Sequence, residues 1–304
     1  MKAAVEDGTS KIKKLKTGDH MSLMQSIALP AWTEKFKAIT LSCQQCNRSL
    51  ALPHNSTRKA GIKMHGKWYC SSRCFAAAAE EELGSLATAR PHRANHSSRM
   101  PLGLLMMRYG LLSSTQFKEM KDEQKEAGVE IGELVMRLGS VSEKQVTAVR
   151  ATQWGCPLFT VPEWGMPTDI QLPPAFVKLY SMIPLHYVAS TNMLLVGFVH
   201  GIEYGLLYAI EKITGCKTQP CFVTPSDFQR QAQYIEQARA QSGDETPAEI
   251  RFESVQSASE MARVLSSYSV QFEADEAMIG RCKEYLWARL KCSSKDVDLL
   301  FKAS

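Results

Sequence analysis

Four cysteines stand in two close pairs, Cys43-x2-Cys46 and Cys70-x3-Cys74, separated by the longer stretch 47–69. Paired thiolates at this spacing close short chelates around one tetrahedral ion, the arrangement in which zinc is held structurally. Free core cysteines or a redox pair are the competing readings, and each accounts less well for two pairs. His54 and His65 fall between the pairs and could each replace a thiolate, although ordinary loop histidines are the commoner case.

The second pair opens an alanine-rich stretch, Phe75 to Leu83, that reads as a helix. The positive end of a helix dipole suits a thiolate ligand. A knuckle, a polar excursion, a short strand and a pair opening a helix together resemble treble-clef fingers of the MYM/TRASH type. Their Tyr/Phe-Cys-Ser-x-x-Cys signature is met by Tyr69-Cys70-Ser71-Ser72-Arg73-Cys74. The resemblance implies structural zinc on Cys43, Cys46, Cys70 and Cys74.

One longer pattern then occurs twice, first at 101–124 and again at 130–153. In each copy the two glycines lie seven positions apart, Gly103 and Gly110, then Gly132 and Gly139. A glutamine, Gln124 or Gln153, closes each copy 21 positions after its first glycine. A duplication in fixed register marks a repeated supersecondary unit. Leu102, Leu105 and Met106, like Ile131, Leu134 and Val135, have the three- and four-residue spacing of a buried helical stripe. Gly110 and Gly139 sit where a helix stops in a left-handed residue. Capping boxes follow, Ser113 with Gln116 and Ser142 with Gln145, so each copy reads as helix, glycine stop and second helix.

This tandem pattern resembles the MshEN domain, the N-terminal domain of type II secretion and type IV pilus assembly ATPases (the GspE/PilB group). The family motif runs Arg-Leu-Gly, two aliphatics, Gly, two more aliphatics and a helix ending in Gln, with a short spacer between copies. Gln153-Trp154-Gly155-Cys156-Pro157 is similar to its Gln-x-Gly-x-Pro, and the likeness extends from about Arg99 to Ala238. In members that bind cyclic di-GMP each motif grips half of the dinucleotide. Carried over by position, the resemblance implies Gly103, Gly110, Gln124, Gly132, Gly139 and Gln153 as ligand residues. The leading arginines do not match. Pro101 and Glu130 stand there, removing one guanidinium and placing a like charge beside a phosphate. Lys121 and Arg150 replace the motif's last leucines, and Ser140 an aliphatic; Arg99, Arg108 or Arg137 could supply charge from elsewhere.

The ATPase half of that family has no counterpart here. Gly61-Ile62-Lys63-Met64-His65-Gly66-Lys67 approaches a phosphate loop, but Trp68 follows where a metal-binding hydroxyl is needed. No arrangement of serine, histidine or paired carboxylates suggests catalysis either, so a non-enzymatic protein is expected. The five remaining cysteines, Cys156, Cys216, Cys221, Cys282 and Cys292, look like small apolar residues. An odd count without a secretory leader points to a reducing, cytoplasmic setting. No window reaches the roughly 18 uninterrupted apolar residues of a membrane helix, and no membrane insertion is expected. Residues 1–99 carry 16 Lys and Arg against 7 Asp and Glu, which keeps a nucleic-acid partner open.

The expected organisation is α+β and multidomain. A flexible tail (1–38) precedes a small zinc finger (39–83) and a linker (84–98). The tandem helical repeat with an α+β subdomain follows (99–238), then a second linker (239–248) and a small C-terminal α+β unit (249–304). Strands are expected at 158–161, 184–188, 193–199 and 221–224, with helices at 202–214 and 227–238, the latter capped by Ser226 and Gln229. The expected function is a regulatory adaptor that docks on a protein partner, with secretion or pilus machinery as candidate. A cyclic di-GMP receptor and a zinc-dependent nucleic-acid binder are the alternatives.

Overall fold

The computed structural model describes residues 39–52, 61–89, 99–137, 139, 141–166, 170–241, 249–255 and 257–303. The basic segment around Lys11–Lys16, His54, Ser140 and most of both expected linkers lie outside these residues.

The chain opens with the hairpin β1 (Ile39–Ser42) and β2 (Ser49–Leu52), whose turn carries the first cysteine pair. A second hairpin, β3 (Ile62–Met64) and β4 (Lys67–Tyr69), leads into helix α1 (Ser72–Thr88). The phosphate-loop near-match is thus a tight β-hairpin, with strand β4 rather than a helix directly after its second glycine. Helix α1 runs to Thr88, past the point where a composition rich in Ser, Ala, Arg, His and Pro suggested a linker. Tertiary contact outweighs composition there. Leu86 packs on the core, and a Cβ built at Gly84 would lie 3.7 Å from the Ala258 Cβ.

The tandem repeat folds as four helices, α2 (Leu102–Arg108), α3 (Ser114–Ala127), α4 (Ile131–Arg137) and α5 (Glu143–Trp154). Both capping boxes form, Ser113 with Gln116 and Ser142 with Gln145, and Gly110 and Gly139 each take φ 69°. The two buried stripes meet in one small core around Met106 and Val135, both fully buried.

Below the repeat, α6 (Pro174–Tyr180) precedes a three-stranded sheet of β5 (Met182–Val188), β6 (Met193–Phe198) and β7 (Lys217–Phe222). Helices α7 (Tyr204–Thr214) and α8 (Pro225–Gln241) complete this layer. Two expectations are corrected here. Residues 158–161 make only a single bridge, Leu158 to Phe222, and no strand. Helix α8 starts at Pro225, whose fixed φ suits a first helical position. Thr224 Oγ1 therefore accepts from Asp227 N, and Ser226 with Gln229 makes no cap.

The last elements are β8 (Glu249–Phe252), α9 (Ala258–Gln271), β9 (Glu276–Cys282), β10 (Tyr285–Lys291) and β11 (Val297–Lys302). Their strands share one six-stranded sheet with the second hairpin, in the order β4-β3-β9-β10-β11-β8. Strands β3 and β9 run parallel, Lys63 opposite Glu276 and Met64 opposite Ala277. The hairpin 62–69 and the strands between 249 and 302, which belong to segments that read as separate modules along the chain, therefore share a single sheet.

Alternation along the strands gives this sheet two buried faces. Leu286, Ala288, Leu290, Leu299 and Phe301 face α1 and α9. Tyr285, Trp287, Leu300 and Cys282 face the layer built by α6 and α7. Trp287 is fully buried, and its Nε1 donates to Asp298 Oδ1 at 2.7 Å. Arg289 forks onto both oxygens of Asp298 at 2.8 Å and donates to Gln171 O, so this buried ion pair is richly hydrogen-bonded.

Candidate functional site

The knuckle between β1 and β2 is tied by local backbone bonds, Cys43 N to Arg48 O and Asn47 N to Cys43 O. Asn47 takes the left-handed turn at φ 57°. Asparagine tolerates that conformation better than most residues. Gln44 N reaches across to Trp68 O, which fastens the knuckle to β4. On the other side Ser71 caps α1, its Oγ accepting from Cys74 N at 3.3 Å. Knuckle and helix start thereby converge.

At that point the four sulfurs of Cys43, Cys46, Cys70 and Cys74 lie within 4.8 Å of one another. Cys46 Sγ to Cys70 Sγ is 3.5 Å and Cys70 Sγ to Cys74 Sγ is 3.8 Å. Four sulfurs about 2.3 Å from a central zinc stand about 3.8 Å apart along a tetrahedral edge, so the spacing fits. The charges fit as well. Burial works against ionising Cys43, but the amides of Cys70, Cys46 and Gln45 outweigh it and bring the thiol down to about 6. Cys70 is pushed up to about 12, first by its bond with Cys46 and then by burial. Packed thiols of this kind share protons until a cation replaces them.

The histidines weighed as substitutes are not shown joining them. His54 lies outside the described residues. His65 heads the β3–β4 turn, where its Nε2 accepts from Ile279 N at 3.3 Å. Burial and then the neighbouring Lys212 hold its pKa below the usual value, in keeping with a neutral acceptor. Of the scattered cysteines, Cys216, Cys221 and Cys282 are buried. Burial raises the Cys221 thiol to about 12 and that of Cys282 well above normal.

In the repeat, the two leading glycines are packing positions. A Cβ at Gly103 would lie 2.3 Å from the Phe117 ring and 2.7 Å from Ile131 Cδ1. A Cβ at Gly132 would lie 2.8 Å from the Arg150 guanidinium. Gly110 and Gly139 meet nothing within 4 Å, and backbone conformation alone explains them. Gln153 Nε2 donates to Met100 O at 2.8 Å, while Gln124 is half-buried on α3.

Glu130 heads the second copy and is given over to two partners. Its Oε1 accepts from Arg150, which is 3% exposed, and its Oε2 lies 3.1 Å from His200 Nδ1. Arg150 also donates to Val199 O at 2.7 Å, pinning α5 to the end of β6. Burial opposes ionisation of Glu130, but the His200 bond and the Arg150 charge hold its pKa below normal. The carboxylate at 130 and the guanidinium at 150 are complementary to one another. Sequence reasoning named both residues without pairing them; their wide separation along the chain gives no helical register to suggest it. Nearby, Arg99 lies over the Trp154 ring, 3.7 Å from its centroid.

No family model matches the chain. It is similar to the type IV pilus assembly ATPase PilB of Thermus thermophilus, 23% identical over 129 residues, 42% of this chain. The match spans only 14% of that protein's length. Among solved structures it is similar to MshE with cdg, at 16% identity and a TM-score of 0.35, over 45% of this chain and 96% of that one. It is also similar to the N-terminal domain of XpsE, at 19% identity and a TM-score of 0.34, over 44% and 92%. No helix of the described residues is long and apolar enough to cross a membrane.

Proposed function

We propose that this chain is a non-enzymatic cytoplasmic adaptor that docks on a protein of a type II secretion or type IV pilus apparatus through an MshEN-type domain. A structural zinc ion on Cys43, Cys46, Cys70 and Cys74 would hold the N-terminal knuckle against the six-stranded sheet. A zinc ion there would be held by thiolates whose charge it would offset; Ser71, Gln44 and Trp68 orient the residues around them.

The observation that carries the docking reading is the Glu130–Arg150–His200 group. At the position where the family resemblance implies an arginine for a phosphate, this chain presents a carboxylate whose cation is spent inside the fold. Such a repeat is a finished, rigid surface. On α2 and at its two ends, Leu104, Met100 and Tyr109 are exposed. The similarity to PilB supports the class of machinery.

A cyclic di-GMP receptor is the runner-up, favoured by Arg99, whose guanidinium lies on Trp154 beside Gln153. Calorimetric titration of cyclic di-GMP into the full chain near physiological salt separates the two. The adaptor reading expects no heat up to high micromolar ligand. Micromolar binding weakened by Gln124→Ala and Gln153→Ala would replace it with the receptor. For the adaptor itself, purified secretion or pilus components should bind saturably and lose affinity to Leu104→Asp. Binding to no component of either apparatus would count decisively against it.

A further inference from the structure

Helix α7 turns two tyrosines outward one turn apart, Tyr204 at 42% and Tyr208 at 66% exposure. They border a cavity of 370 Å³ formed where α7, the end of α1 and strand β9 meet. Its walls are mainly apolar, from Leu86, Ala89, Tyr204, Tyr208 and Ala209. Gly205 also lines it. A Cβ built there meets only Glu203 Oε1, at 3.6 Å, so the space above it is open.

The polar part of the lining is unbalanced. Lys212, Arg281 and Lys283 bring three positive charges against the single carboxylate of Glu203. Lys212 is matched by Glu82 at 2.9 Å. Arg281 is fixed in place, its Nη1 donating to the carbonyls of Leu86, Ala87 and Ala89 at 2.6–2.7 Å. Its buried Nε has no hydrogen-bond partner among the described residues. Lys283 stands exposed on the β9–β10 turn. Aromatic walls alone would suit a cation as well. The excess positive charge decides for an anion.

We propose that this cavity is a binding site for a small planar aromatic anion, its rings against Tyr204 and Tyr208 and its charged group toward Arg281 and Lys283. The size lies in the usual range for small-molecule sites, about 300–1,000 Å³, with apolar walls and few polar groups. The lining includes none of the four cysteines and neither of the repeat's glutamines, and the site stands independently of the adaptor reading.

The probe is 2-naphthoate, titrated calorimetrically into the full chain, with neutral 2-naphthamide and guanosine monophosphate in parallel. Saturable one-to-one binding of 2-naphthoate is expected, with the amide at least several-fold weaker. Gly205→Leu, which fills the cavity at a helical position, should abolish binding while the chain melts as the parent does. Lys283→Gln should weaken it about three- to fivefold, and Tyr208→Ala by about fivefold. No saturable binding to millimolar probe, equal binding of the amide, or binding unaffected by Gly205→Leu would each overturn the proposal. Preference for guanosine monophosphate over 2-naphthoate would also overturn it, in favour of a nucleotide site.

Discussion

Phe176 stands edge-on to Trp287, ring centroids 5.1 Å apart at 88°, and this contact joins the middle of the chain to its end. Both rings are fully buried. Tyr180 adds to the seam, its hydroxyl donating to Cys282 O at 2.8 Å. The layer below the repeat therefore shares a core with the six-stranded sheet. Trp287→Ala should cost about 3–5 kcal/mol in urea unfolding, as large core truncations do. A chain cut after Gln241 should lose its cooperative transition because α6 then loses the face that Trp287, Tyr285 and Leu300 give it. If that fragment melts as sharply, and at the same temperature, as the intact chain, the shared core is refuted.

Metal removal should act locally. Purified chain is expected to carry one zinc, measured by atomic emission, and Cys43→Ser or Cys74→Ser should lose it. Chelation should then speed hydrogen exchange in β1, β2 and β4, because the knuckle's contacts are few and depend on the cluster. The repeat core around Met106 and Val135 draws on none of the cysteine-bearing elements, so its exchange should stay unchanged. Folded protein that holds no metal and ignores both substitutions would refute the metal centre.

Features whose cause lies within a few residues were legible in the sequence. The caps at Ser113 and Ser142, the glycine stops and the cysteine pairs each act over one turn or one knuckle. Strand β9 was not foreseen, nor its parallel pairing with β3. Lys63 and Glu276 are far apart along the chain, and neither strand's alternation says which edge it will find. The Glu130–Arg150 pair escaped for the same reason. Each residue looked like a loss to the repeat when taken alone, and only proximity makes them complementary.

The glycines of the first copy should respond differently to substitution. Gly103→Ala forces a methyl against Phe117 and Ile131. Overpacking of this kind should cost about 1–3 kcal/mol. Gly110→Ala meets no atom but places a Cβ in the left-handed region. That backbone penalty should be roughly 1 to roughly 2 kcal/mol for an L-residue. Asparagine tolerates the conformation, so Gly110→Asn should recover part of the loss, whereas Gly103→Asn should be worse than alanine. Equal behaviour of the two asparagine variants would mean the two glycines are retained for one common reason.

Glu130 makes stability depend on pH with a definite sign. Its folded pKa is depressed by His200 and Arg150 against the cost of burial. The unfolded chain therefore takes up the proton first as pH falls. Its contribution is complete above the ordinary carboxylate value of 4.5 and is lost as pH falls through the folded value. The side chain is 37% exposed. Screening at that exposure holds the effect to about 1 kcal/mol. Glu130→Gln should therefore lower the urea midpoint at pH 7 and make far less difference in strong acid, where the parent has itself lost the charge. Glu130 would be exonerated as the acid-sensitive group if the two proteins differed equally at both pH values. In that case the buried Arg150 would be held by Val199 O alone.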